Sequence, residues 1–230
     1  MKKILLIYFL SFHAISELTL EITQGTEDPY RVAIIKFSGA DKVTTDIQKV
    51  VFDNLLRTGE FTIFNNEDLL SIPQIEEDIV FNDFRILDID FLVMGKIEDD
   101  GLNIAVEYQV FDISKAKKIR TSTVYGIPNK NRQLAHYVSD GIYQEITGIP
   151  GIASTKILYV TEDNNFKLLI SDADGSNEQV LLESTEPIIS PSWSPDSKKV
   201  AYVSFETGIA KVYIQAVSYT HLRAHETPCH

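Results

Sequence analysis

Three side chains able to grip a soft metal ion lie close together near the end of the chain: His221, His225 and Cys229, spaced by four. On a helix that spacing would align imidazole and thiolate ligands along one face, as zinc or copper requires. Pro228 interrupts such a helix before its third ligand, and no fourth ligand is evident nearby. Spacing without its structural context is weak, and the reading taken is against a metal site. A second candidate, Asp172-Ala173-Asp174-Gly175-Ser176-Asn177, begins like a calcium loop. It lacks the glycine at the sixth position and the closing glutamate of an EF-hand, so it reads as a turn between strands. Glu76, Glu77 and Asp78 follow Pro73 and read as a solvated loop, not an acid–base pair. His136 stands two positions from Leu134, off the apolar stripe of its helix, and is expected to face water instead of serving as a general base. Trp193, between Pro191 and Pro195, reads as a packing aromatic. No G-x-S-x-G elbow, G-x-x-x-x-G-K-[ST] phosphate loop or G-x-G-x-x-G fingerprint occurs. The expectation is a non-enzyme with no catalytic residues, no cofactor and no metal.

The composition is ordinary for a globular protein. With 44% hydrophobic residues in 230, the chain can bury a sizeable core. The formal charge is −12, and without the first sixteen residues, which hold Lys2 and Lys3 and no acids, it is −14. A surface so acidic repels phosphate backbones and anionic lipid, so nucleic acid and membrane surfaces are not the expected partners. Cys229 is the only cysteine, which rules out an intramolecular disulfide.

The N-terminus has the layout of an export signal: Lys2 and Lys3, the apolar run ILLIYFL, then Ala14-Ile15-Ser16. Cleavage is expected between Ser16 and Glu17, leaving no membrane span, since seven apolar residues fall short of about 30 Å of hydrocarbon. Export is expected, and a larger periplasmic protein whose core needs no disulfide is compatible with it. Next, Leu18, Leu20 and Ile22 alternate with polar residues in a short half-buried strand ending before Gly25.

YRVAIIKF is continuously apolar and reads as a central strand. Asp41 is expected to cap a helix whose apolar positions are Val43, Ile47, Val50, Val51 and Leu55, ending at Gly59. FTIF is the next strand, and a helical stretch covers about 82–88. FLVMGKI, LNIAVEYQVF and KKIRTSTVY follow as a meander, with Asp100-Gly101 suited to a type I′ turn and Leu102, Ile104, Val106, Tyr108 and Val110 sharing one face. Leu134, Val138, Ile142 and Ile146 mark a covering helix that Thr147-Gly148 and Pro150 stop. Residues 30–149 thus read as an α/β domain with a mixed sheet and packed helices.

Beyond Gly151 only strands and turns follow: KILYV, FKLLISD and QVLLES, then the turn SPSWSPDSK and KVAYVS. Matching Ile157 to Val200, Tyr159 to Tyr202 and Val160 to Val203 gives a period of 43, that of a propeller blade. Residues 154–215 are expected to hold one blade and the start of a second. The tail 216–230 resembles sequencing-adapter sequence read as coding and is expected to be foreign.

These pieces together resemble the TolB family, the periplasmic propeller proteins of the Tol-Pal envelope system. The resemblance runs from Glu17 to Gln215 and rests on LEITQG, AHYVSDGIYQEITGIPG, ISDADGSNEQ and SPSWSPDSKKVAYVSFETG. The turn SPDSK is shared by many propellers; the junction helix joined to this blade is specific. The resemblance implies an N-terminal α/β domain, a six-bladed propeller and no catalysis. It also implies two partners, the C-terminal domain of TolA and the lipoprotein Pal, with roles in outer-membrane integrity and constriction at division. The expected domains are 1–16 signal peptide, 17–29 partner-binding strand, 30–149 α/β domain, 154–215 propeller and 216–230 tail. The TolA-binding segment would be Glu17, Leu18, Thr19, Leu20, Glu21, Ile22, Thr23, Gln24, Gly25, Thr26 and Glu27. Edge-strand addition fits this segment, as does covering its own domain. An alternative from another class is the propeller of a hydrolase whose catalytic domain lies elsewhere; the N-terminal domain disfavours it.

An incomplete propeller leaves sheet edges open. Residues 154–230 are expected to be aggregation-prone or disordered when the chain is expressed; a soluble chain with cooperative unfolding and full hydrogen-exchange protection over 154–215 would contradict it.

Overall fold

The computed structural model describes residues 28–217 except 44, together with 227–228. The expected signal peptide 1–16, the segment 17–27 and the candidate ligands His221, His225 and Cys229 lie outside the described residues.

The first sheet has five strands in the order β2-β1-β3-β4-β5. They are β1 (Tyr30–Ile34), β2 (Phe61–Phe64), β3 (Phe91–Asp99), β4 (Ile104–Asp112) and β5 (Lys117–Gly126). β1 runs parallel to both β2 and β3, while β3, β4 and β5 form an antiparallel meander, so the sheet is mixed. Val32, Ala33 and Ile34 are wholly buried, which is why β1 has no polar alternation.

Helix α1 (Ile47–Arg57) starts later than the sequence suggests. Its cap is Asp46, whose carboxylate accepts a hydrogen bond from the Lys49 amide at 3.0 Å. Asp41 instead lies in a short 3-10 turn, with Val43 after it packed against the core. Helix α2 (Phe81–Ile86) is shorter than the expected stretch and pins Phe84 beneath the opposite sheet face. The β3–β4 connection is a four-residue loop, since Asp99 pairs with Ile104. The Asp100 carboxylate takes the amides of Leu102 and Asn103, so a side chain closes the turn that Asp100-Gly101 was expected to close as type I′. Leu102 therefore leaves the apolar face and is 79% exposed.

Helix α3 (Asn131–Thr147) and α1 cover one face of the sheet. Leu134, Val138 and Ile142 meet Val106, Tyr108 and Val110 there, as their spacing predicts. Ala33, Leu92, Met94 and Phe111 fill the core on the other face.

Two antiparallel sheets follow. β6 (Lys156–Glu162), β7 (Phe166–Asp172) and β8 (Gln179–Ser184) form one. β9 (Ile188–Trp193), β10 (Lys199–Ser204) and β11 (Lys211–Ala216) form the other, with the two residues of β12 (Thr227–Pro228) paired to β11. Ser190 to Trp193, expected in a turn, belong to β9, where Ser192 and Trp193 pair with β10 beyond an irregularity at Ser190 and Pro191; only 194–198 turn. Leu168, Ile170, Leu181, Ile188, Val200 and Tyr202 form a shared core, and Trp193 packs against it. The architecture is an α/β domain followed by the antiparallel sheets of a partial propeller.

Contact between α3 and the sheet is close at Gly141, where an added Cβ would lie 1.9 Å from the Tyr108 hydroxyl. Gly141→Ala is expected to destabilise the α/β domain by about 1–3 kcal/mol through overpacking, read as a lower urea midpoint.

Candidate functional site

Helix α3 has a second line of residues beside its apolar stripe. Arg132, His136 and Asp140 recur every four positions and so share a face. All three turn toward the propeller side. The Arg132 guanidinium pairs with Asp174 at the end of β7, its Nε at 2.8 Å. Asp140 accepts hydrogen bonds from the backbone amides of Ala153 at 2.6 Å and Ser154 at 3.0 Å, which fastens the linker to the helix. Gly151 is required in that linker: a Cβ there would come within 2.5 Å of the Asp140 Cα.

His136 is 2% exposed, not solvated. The apolar stripe locates only the sheet-facing side of α3, whereas the helix also packs on α1 and on the β7 turn. The His136 Nδ1 lies 2.9 Å from Asn54 Nδ2 on α1, and the same amide donates to Ser139 Oγ at 2.9 Å. With Nδ1 as acceptor, the neutral ring carries its proton on Nε2. That atom faces Asp172 Oδ2 at 3.6 Å and Asp174 Oδ2 at 3.7 Å and has no hydrogen-bond partner.

The turn that carries these acids is self-supporting. Asp172 Oδ2 accepts from Asn177 Nδ2 at 2.6 Å, Asp172 Oδ1 takes the Lys156 ammonium, and Asp174 Oδ1 accepts from the Ser176 amide at 2.9 Å. Burial opposes ionisation of Asp174, but the Ser176 amide and Arg132 outweigh it and hold its carboxyl below the usual range. Burial lowers the His136 pKa from its ordinary value against the pull of Asp174 and Asp172, so the imidazole is neutral at pH 7.

His136, Asp172 and Asp174 place donor atoms within 4.8 Å of one another, a spacing that could hold a metal ion. The surroundings argue otherwise. Lys156 and Arg132 already neutralise the carboxylates, and Nε2 presents a proton where a ligand needs a lone pair. Nor do these residues make a nucleophile site: the Ser139 hydroxyl donates to the Ala135 carbonyl at 2.8 Å. What the cluster can do is lock two folded units together.

Beside it runs a cleft of about 330 Å³, lined by Leu55, Tyr143, Ile149, Ile152 and Ala153 among others. Tyr143 donates to Glu60 at 3.0 Å, and the Glu60 carbonyl accepts the Tyr30 amide at 2.9 Å, so the chain enters β1 next to the cleft. Glu76, as expected, sits in an exposed segment and pairs with Lys118 at 2.5 Å. Among the described residues, no helix is long and apolar enough to cross a membrane.

Comparison with known proteins bears on this junction directly, because it joins two matched units. The TolB amino-terminal domain matches residues 18–119, and the TolB beta propeller domain matches residues 143–227. This chain belongs to the TolB family. The Tol-Pal system protein TolB of Alcanivorax borkumensis is 38% identical over 89% of the chain and 49% of that protein. TolB of Alkalilimnicola ehrlichii is 36% identical over 85% of the chain and 48% of that protein. The crystal structure of TolB from Acinetobacter baumannii superposes with a TM-score of 0.77 at 32% identity, covering 90% of the chain and 52% of that structure. The chain thus spans about half the length of the TolB relatives it matches.

Sequence reasoning found the TolB-like elements and the junction helix but missed the polar contacts that helix makes across the junction. The available signal was the four-residue spacing of Arg132, His136 and Asp140, a polar row on a helix whose other stripe is apolar. Asp140→Ala is expected to cost about 2–4 kcal/mol by orphaning two amides, and to raise hydrogen exchange at Ala153 and Ser154 before it affects the first sheet.

Proposed function

We propose that this protein is a non-enzymatic periplasmic scaffold of the Tol-Pal system, joining TolA to Pal. In that role it maintains the outer membrane and supports envelope constriction at division. The N-terminal segment is the TolA-facing part, and the propeller is the Pal-facing part. Export by the signal peptide 1–16 delivers it to the periplasm.

The observation that carries the reading is the position of β1. It is hydrogen-bonded on both sides, to β2 and to β3, so neither of its edges is open to the chain that precedes it. In the segment before it, Leu18, Leu20 and Ile22 fall on alternate positions, the pattern with which an extended strand adds to a partner's sheet. Membership in a family whose relatives are named Tol-Pal system proteins supports the same partners.

The test is capture of the chain, beginning at Glu17, by the immobilised C-terminal domain of TolA. Binding is expected, and Ile22→Asp is expected to weaken it about tenfold or more by putting a charge on the apolar face. No capture of the unaltered chain, or equal capture of the variant, removes the support for a TolA-binding strand.

A further inference from the structure

The two propeller sheets repeat each other in register as well as in sequence. Leu158 pairs with Ile170 as Ala201 does with Ile214, Tyr159 with Leu169 as Tyr202 with Tyr213, and Val160 with Leu168 as Val203 with Val212. Side chains alternate across a strand, so each sheet has two faces, and corresponding faces carry corresponding residues.

Within the chain, two of these four faces meet. Leu158, Val160, Leu168 and Ile170 of the first sheet pack on Val200, Tyr202 and Tyr213 of the second, where the two tyrosine rings stack at 5.7 Å. The two faces left over are the counterparts of this pair. On the second sheet, Ala201, Val203, Val212 and Ile214 correspond to the four residues covered on the first, and Ile189 stands beside Val203. Val212 is 54% exposed and Ile214 40%. On the first sheet, Ile157, Tyr159 and Leu169 correspond to Val200, Tyr202 and Tyr213, with Val180 beside Leu169. Leu169 is buried, but Ile157 and Val180 are exposed, so that face is open around it.

We propose that the free face of the second sheet docks on the free face of the first sheet in another copy of this chain, so that copies associate head to tail. Apolar side chains gathered on one sheet face mark an association surface. The repeat identifies the occupant, because the molecule already contains this contact once. Val203, Val212 and Ile214 stand where Val160, Leu168 and Ile170 are covered, and Tyr159 stands where Tyr202 covers them. Ala201 replaces Leu158 and Leu169 replaces Tyr213, so the contact between copies removes less hydrocarbon from water than the contact within the chain. It is accordingly the weaker of the two. The offered and receiving faces differ, which makes the contact heterologous: each copy gives one face and takes one, and assembly extends until a ring closes. This association is independent of the partners proposed above.

The test is sedimentation velocity on the full chain and on two double variants. Val212→Asp with Ile214→Asp spoils the offered face, and Ile157→Asp with Val180→Asp spoils the receiving one. All four residues are exposed in the single chain, so the fold does not depend on their burial. The unaltered chain is expected to pass from monomer to larger species as it is concentrated to about 0.1 mM. Each variant alone is expected to associate about tenfold more weakly or worse, because its contact would bury unpaired charge. In an equal mixture the variants still own one intact face each, and they are expected to form a dimer and nothing larger. An unaltered chain that stays monomeric assigns the face to a different occupant and overturns the proposal. So does a variant that associates as well as the unaltered chain, or a mixture that stays monomeric or grows beyond two. Should an aspartate variant not fold, alanine at the same positions gives the same readings with a smaller loss.

Discussion

One helix has to satisfy two neighbours at once, and the rest of the molecule depends on how α3 does so. Its apolar stripe, Leu134, Val138 and Ile142, closes the core over the first sheet. In its polar row, Arg132 and Asp140 grip the propeller turn and the linker, and His136 between them meets Asn54 on α1. The two sets use different physics. The stripe contributes by removing hydrocarbon from water, which tolerates small shifts. The row depends on hydrogen bonds and paired charges in a buried place, where a missing partner is expensive. The junction is therefore more easily perturbed than the core beneath it.

That division separates two folded units. The α/β domain is a closed unit in which each face of the mixed sheet is covered, by α1 and α3 on one side and by α2 and its loops on the other. The two propeller sheets share one core, built on Leu168, Ile170, Val200 and Tyr202. Between them, the linker 148–155 is short and held at several points: Gly148 ends α3 in the left-handed conformation, Gly151 lies against Asp140, and Thr155 accepts the Ala173 amide at 3.1 Å.

The sequence by itself determined the elements, because each rests on local rules. Apolar continuity at 30–37, the four-residue spacing along α3 and the 43-residue return of Ile157, Tyr159 and Val160 all report periodic burial, which a chain must show wherever it meets a core. The mixed sheet and the propeller strands followed, and with them the family. Errors fell where a side chain, not a period, sets the end of an element. Asp46 displaced Asp41 as the cap of α1, the Asp100 carboxylate rebuilt a turn, and β9 took in Ser190 to Trp193 from the expected turn SPSWSPDSK. Only the tertiary structure could decide what His136 is. Periodicity assigns a residue to the face of one helix and says nothing of a second neighbour arriving from 82 residues earlier, as Asn54 does, or from a turn 36 and 38 residues later, as Asp172 and Asp174 do. Burial of a polar group is decided by partners distant in sequence, and those meet only once the chain has folded.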